Sequence, residues 1–63
     1  MTIEELNNLN LIPGQMVRVI FNNNRTLKRK FSPYTNKLIK LYKEYEDESE
    51  MYLLYGVRSI EKI

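Results

Sequence analysis

The first ten residues carry hydrophobic side chains three positions apart, which predicts a short amphipathic helix. These side chains are Ile3, Leu6 and Leu9. Thr2 and Glu5 have the spacing of a capping box, in which each side chain accepts a hydrogen bond from the other residue's backbone amide. The helix is therefore expected to begin at Thr2. It must end before Pro13 and Gly14, which suit the central positions of a type II turn.

From Gln15 onward the hydrophobic period becomes two, the period of half-buried β-strands. Five strands are predicted in this way, over residues 15–21, 26–31, 37–45, 51–55 and 58–63. The stretch from Asn22 to Asn24 tolerates left-handed backbone conformations and predicts a hairpin turn. Residues 37–45 also fit a helical stripe, but their position between two strand-like runs favours a strand.

The spacing also predicts which strand residues face the core. Val17, Val19 and Phe21 alternate with polar or outward positions in the first strand. Leu27 and Phe31 should share the inner face of the second strand, with Arg29 near a rim. In the last strand, Ile60 and Ile63 are expected to point inward, and the charged stretch from Glu46 to Glu50 is expected to be a loop.

Length and composition limit the class of protein. A chain of 63 residues makes one small domain, residues 1–63, with a single core. It has no Cys and no His, so disulfides and the usual zinc sites are excluded. No apolar run approaches the roughly 18 residues that span a bilayer. We expect a cytoplasmic protein without a membrane partner, and the abundance of Asn, Lys, Ile and Tyr, typical of AT-rich coding sequence, suits a viral or phage source among others.

The fold class that follows is mainly β, a short N-terminal helix followed by a five-stranded antiparallel small barrel. The order of these elements resembles that of the Sm-like family of SH3-like small barrels. The resemblance rests on the helix and on the segments IPGQMVRVIFNNNR, FSPYTNKLIKL and YGVRSIEKI, in this order. The resemblance implies that Asn36 lies near bound RNA and that Gly56 lies in the turn between the last two strands. The chain departs from the family pattern in its second strand, where the basic run from Leu27 to Lys30 replaces the usual glycine.

The inventory of reactive side chains indicates a protein that is not an enzyme. There is neither a thiol nucleophile nor an imidazole base, and two glycines are too few for a Gly-rich phosphate loop. The acidic run from Glu44 to Glu50 lacks the alternating ligands and the glycine of a calcium loop. We therefore expect no catalytic residues, no metal and no cofactor.

The distribution of charge points to a nucleic-acid partner. From Leu6 to Lys43 the chain has eight cations and no Asp or Glu. Basic side chains near an exposed tyrosine can hold phosphates and stack on an unpaired base, which suits single-stranded RNA or DNA. The predicted nucleic-acid-binding residues are Arg18, Arg25, Lys28, Arg29, Lys30, Tyr34, Asn36 and Lys37. The plainer interpretation is that the lysines only keep a small domain soluble and protect its strand edges.

The apolar run from Met51 to Tyr55 supports a second hypothesis, protein binding. Tyr and Met are typical of protein interfaces, and a strand of this kind at a sheet edge can pair with a partner or with itself. The predicted interface residues are Met51, Tyr52 and Leu54. A homo-oligomer is expected under either hypothesis, and the alternative function is that of an adaptor, subunit or small viral inhibitor. Added salt separates the two hypotheses, because it weakens phosphate binding and not an apolar contact.

Overall fold

The computed structural model describes residues 1–43 and 48–63 of the chain. Its elements are helix α1 Ile3–Asn8, strands β1 Met16–Phe21, β2 Thr26–Pro33, β3 Leu38–Tyr42, β4 Ser49–Leu53 and β5 Val57–Lys62, and a one-turn 3₁₀ helix Leu54–Gly56 between β4 and β5. The fold is mainly β, with five antiparallel strands after one short N-terminal helix. The five predicted strands and the helix are confirmed in number and order.

The predicted capping box begins helix α1. The Thr2 amide donates to Glu5 Oε1 and the Glu5 amide donates to Thr2 Oγ1, each over 3.1 Å. The hydrogen bond from the Thr2 amide, followed by the interaction of the carboxylate with the Thr2 hydroxyl, stabilises the charged form and holds the pKa of Glu5 below its usual value. After the helix, the Gln15 amide donates to the Ile12 carbonyl over 2.9 Å, and Gly14 has φ 87°. Only glycine adopts that φ without strain, which explains the predicted turn.

The strands form one sheet in the order β4-β3-β2-β1-β5, with every neighbouring pair antiparallel. The hairpin between β1 and β2 closes through Asn24, whose φ is 68°, and through the Phe21 amide, which donates to the Arg25 carbonyl. Its register places Val19 opposite Leu27. The predicted asparagine turn is thus confirmed.

The core lies on the inner face of a strongly bent sheet. Its buried side chains are Leu6, Val17, Val19, Phe31, Ile39, Leu41, Leu54, Val57 and Ile60. Phe21 in β1 and Tyr52 in β4 also touch, with ring centroids 5.0 Å apart. A flat sheet would hold these strands about 14 Å apart, at roughly 4.8 Å for each strand spacing. The sheet must therefore curve so that the inner faces of β1 and β4 meet.

Some expectations differ from the structure. Ile63 follows the end of β5 and is 56% exposed, so it does not point inward. Phe21 is half-buried and packs against the core without belonging to it. Ser49 and Glu50 begin β4, where they pair with β3 and are not part of a loop. Residues 44–47 lie outside the described residues. They include the end of the predicted third strand and part of the predicted acidic loop.

Candidate nucleic-acid interface

One face of the sheet gathers four of the cations from the carboxylate-free stretch. Residues directly opposite one another in antiparallel strands share a face, and the register pairs Arg18 with Lys28, Lys30 with Tyr42, and Ser32 with Lys40. The neighbouring positions in β1, β2 and β3 include the buried Val17, Phe31 and Leu41, so these polar positions point to the other side. We call Arg18, Lys28, Lys30 and Lys40 the outer basic face.

Two cations of the outer basic face occupy directly opposed positions. Arg18 and Lys28 are both exposed and lie directly opposite each other in the β1–β2 pair. Like charges in that position destabilise a sheet. Glu61 of β5 lies opposite Arg18 on its other side and offsets part of the repulsion. Strands β1, β2 and β3 contain no Asp or Glu. The positive charge of this face is therefore not neutralised by any carboxylate within these three strands.

Two tyrosines lie beside the outer basic face. Tyr42 is opposite Lys30 in the β2–β3 pair and is half-buried. Tyr34 follows β2, is 52% exposed, and has the Lys40 ammonium nitrogen 4.6 Å from its ring centroid. This distance is that of a cation–π contact, which holds the ring and the ammonium group together at the surface. The face thus combines cations with aromatic rings, as the sequence predicted.

Two predicted cations lie away from the outer basic face. Arg29 has the same strand parity as Leu27 and Phe31, is half-buried, and donates from Nη1 to the Lys28 carbonyl over 2.8 Å. Arg25 is exposed in the hairpin turn. The basic cluster predicted around the turn is therefore divided: Lys28 and Lys30 belong to the outer basic face, and the two arginines do not.

Arg25 borders a cleft of about 370 Å³ at the end of the β1–β2 hairpin. Its lining residues are Phe21, Asn22, Asn23, Arg25, Tyr52 and Gly56. The Tyr52 hydroxyl donates to the Glu50 carboxylate. Burial, followed by this hydrogen bond and the Glu50 charge, raises the pKa of Tyr52, and the charges of Arg25 and Arg29 oppose that change. Sequence reasoning missed this cleft because it joins residues that are far apart in the chain.

Asn36 and Lys37 lie at a third place, in the loop between β2 and β3. Both are exposed and line a largely apolar groove of about 480 Å³. The other residues of this groove are Met1, Thr2, Ile3, Leu53, Leu54 and Tyr55. The Lys37 carbonyl accepts from the Leu54 amide over 2.8 Å, which ties the loop to the 3₁₀ turn.

The apolar run after Glu50 divides between core and surface. Leu54 is 3% exposed and belongs to the core, so its side chain is not available to a partner as predicted. Tyr52 is half-buried against Phe21, and only Met51 of the predicted interface residues is largely exposed. Leu53 and Tyr55, which were not predicted, are 50% and 75% exposed. The exposed apolar surface therefore lies on the outer side of β4 and on the turn after it.

Comparison with known proteins gives no further assignment. No protein-family model matches the chain, and no curated protein and no solved structure matches it. Within residues 1–43 and 48–63, no three His, Cys, Asp or Glu side chains come together as a metal site would require. In the same described ranges, no helix has the length and hydropathy needed to cross a membrane.

Proposed function

We propose that this chain is a non-enzymatic protein that binds single-stranded RNA or DNA through its outer basic face. The observation that carries the proposal is the direct opposition of Arg18 and Lys28 in strands that contain no carboxylate. This arrangement costs folding free energy. A bound phosphate between the two side chains would remove the repulsion, so the contact makes physical sense in the presence of a polyanion.

Binding would combine charge with stacking. Phosphates would be held by Lys28, Lys30 and Arg18, with release of the counterions condensed on the nucleic acid. Tyr34 is exposed at the edge of this face and could stack on a base of any identity. Phosphate charge and the stacking faces of the bases are common to all sequences. Because the protein would contact only these features, it would show little sequence preference.

We also propose that the bent sheet is a small barrel of the SH3-like, Sm-like type. The contact between Phe21 and Tyr52 across two intervening strands supports this fold, as does the short 3₁₀ turn that joins β4 to β5. A small barrel presents a curved outer surface along which a single strand can run.

The proposal is tested by a matched pair of charge reversals. Lys28→Glu changes the outer basic face, whereas Lys62→Glu makes the same charge change at an exposed position near the end of β5. We expect Lys28→Glu to weaken the binding of a labelled single strand of about 12 nucleotides by roughly tenfold. Lys62→Glu should have a much smaller effect in the same fluorescence anisotropy titration. Equal effects would show that only net charge matters and would contradict a located site.

A second candidate function, protein binding, is favoured by the exposed edge of the sheet. Strand β4 is an edge strand, and Met51, Leu53 and Tyr55 expose apolar surface on it and on the following turn. Unpaired edge strands readily pair with another strand. We propose that this edge mediates self-association, with another protein as the alternative partner.

A further inference from the structure

We infer that the cleft beside the asparagine turn holds one unstacked nucleobase of the bound single strand. We call this cleft, lined by Phe21, Asn22, Asn23, Arg25 and Tyr52, the base cleft. The inference rests on the proposed function, because it names the part of the ligand that a second site would hold. It adds a site that lies away from the outer basic face.

The shape and chemistry of the base cleft suit a planar aromatic ligand. Its volume of about 370 Å³ is within the range of pockets that hold small organic groups. The rings of Phe21 and Tyr52 form one wall, with centroids 5.0 Å apart and planes inclined at 48°. Because the planes are inclined, a base that stacks on one ring meets the other ring at an angle. Stacking of this kind is the main attraction between proteins and unpaired bases.

The two asparagine amides of the base cleft are oriented by the backbone. Asn22 Nδ2 donates to the Tyr55 carbonyl over 2.9 Å, which leaves its Oδ1 available as an acceptor. Asn23 Oδ1 accepts from the Arg25 amide over 3.0 Å, which leaves its Nδ2 available as a donor. The two side chains that line the cleft here therefore offer one acceptor and one donor. The edges of nucleobases carry the same combination of groups.

The charge around the base cleft favours a ligand attached to a phosphate. Arg25 is exposed at the cleft, and the charges of Arg25 and Arg29 both act on the Tyr52 hydroxyl. The nearby Glu50 carboxylate already accepts the hydrogen bond of that hydroxyl. A guanidinium group beside an aromatic wall can hold the phosphate of the nucleotide whose base is stacked. An uncharged aromatic ligand would not use this group.

The test compares two asparagine variants that make the same chemical change at neighbouring positions. Asn23→Asp keeps the oxygen that accepts from the Arg25 amide but removes the Nδ2 donor that we assign to the ligand. Asn24→Asp is the matched control, because Asn24 does not line the cleft and its Oδ1 accepts from Arg58. Both variants keep the turn and add one negative charge, so a difference between them reports the cleft.

The measurement is the affinity of each protein for an oligodeoxythymidine strand and for an abasic strand of the same length. The wild-type protein and Asn24→Asp should bind the strand with bases at least about fivefold more tightly than the abasic strand. Asn23→Asp should lose a measurable part of this preference, and the part that stacking on Tyr34 supplies should remain. In amide NMR spectra, uridine monophosphate should shift the side-chain amide of Asn23 more than that of Asn24.

The outcomes distinguish the inference from the proposed function. If both strands bind the wild-type protein equally and salt weakens both, phosphate binding by the outer basic face stands and the base cleft is overturned. Equal loss of preference in the two variants also overturns it. If neither strand binds the wild-type protein, the proposed function fails and the inference fails with it.

Discussion

Phe21 and Tyr52 pack ring against ring, 5.0 Å between centroids, although two strands of the sheet lie between the strands that carry them. The contact exists only because the sheet curves around its core. It also forms one wall of the base cleft, so the same pair of rings links the curvature of the sheet to a candidate binding site. The contribution of this pair to stability and its proposed contribution to binding can therefore be measured separately.

A double-mutant cycle tests the contact between the two rings. Phe21→Leu and Tyr52→Leu keep a hydrophobic side chain but remove the aromatic pair, and we expect a coupling free energy of about 0.5–1.5 kcal/mol. The cycle is measured by chemical denaturation of the wild-type protein, the two single variants and the double variant. Strictly additive effects would show that the rings do not interact and would contradict the curved sheet.

Phe21→Ala should lower the free energy of unfolding by less than the roughly 3–5 kcal/mol expected for a fully buried Phe, because Phe21 is half-buried.

Lys28→Glu should stabilise the folded protein while it weakens nucleic-acid binding. The change replaces the repulsion with Arg18 by an attraction, which is expected to raise the free energy of unfolding by about 0.2–1 kcal/mol. Lys30→Glu is the control, because Lys30 lies opposite Met16 and Tyr42 and not opposite a cation. Denaturation curves at low salt give both values. A loss of stability in Lys28→Glu would contradict the arrangement of charges on the outer basic face.

Tyr52 should ionise above the usual pKa of a tyrosine, which is near 10. Its raised pKa means that the folded state favours the neutral phenol more than the unfolded state does. The resulting stabilisation is complete below the unfolded-state pKa and is lost as the pH rises through the higher folded-state pKa. The midpoint of the difference in phenolate absorbance between the wild-type protein and Tyr52→Phe should therefore lie above that of a free tyrosine. A midpoint at or below the free value would contradict the burial of Tyr52 and its bond to Glu50.

Self-association should depend on the exposed edge strand β4. Leu53 is 50% exposed there, and Leu53→Lys places a charge on the edge, which is how natural sheets prevent edge pairing. We expect the wild-type protein to form a dimer or a larger ring in equilibrium sedimentation and Leu53→Lys to shift it toward monomer. Lys62→Glu, at the other edge strand, shows whether β5 takes part. A wild-type protein that stays monomeric at high micromolar concentration would rule out this role for the edge.

The sequence correctly predicts the features that are determined by residues close together in the chain. Thr2 and Glu5 identify the start of the helix because a capping box spans only four positions. Gly14 and Asn24 identify turns because each adopts a positive φ that few residues accept. Strand alternation places Lys28 and Lys30 on one face, as the register confirms.

The features that the sequence does not predict depend on contacts between residues that are far apart in the chain. Leu54 belongs to an apolar run that reads as one strand, but the chain turns into a 3₁₀ helix there and its side chain enters the core. The base cleft requires the curvature that joins β1 to β4, which alternation within single strands does not contain. The sequence predicts Arg29 near a rim because its charge conflicts with the inner parity of Phe31, and in the structure it lies half-buried on the inner side.

The most direct test of nucleic-acid binding by the outer basic face is the salt dependence of affinity in two double variants. Lys28→Glu with Lys30→Glu alters that face, and the control pair, Arg29→Glu with Lys62→Glu, makes the same change in total charge away from it. For single strands, each phosphate contact adds about 0.7 to the slope of the logarithm of affinity against the logarithm of salt concentration. We predict that the lysine pair lowers this slope by at least the equivalent of one contact relative to the control pair. Equal slopes in the two double variants, or a wild-type complex insensitive to salt, would contradict binding by the outer basic face.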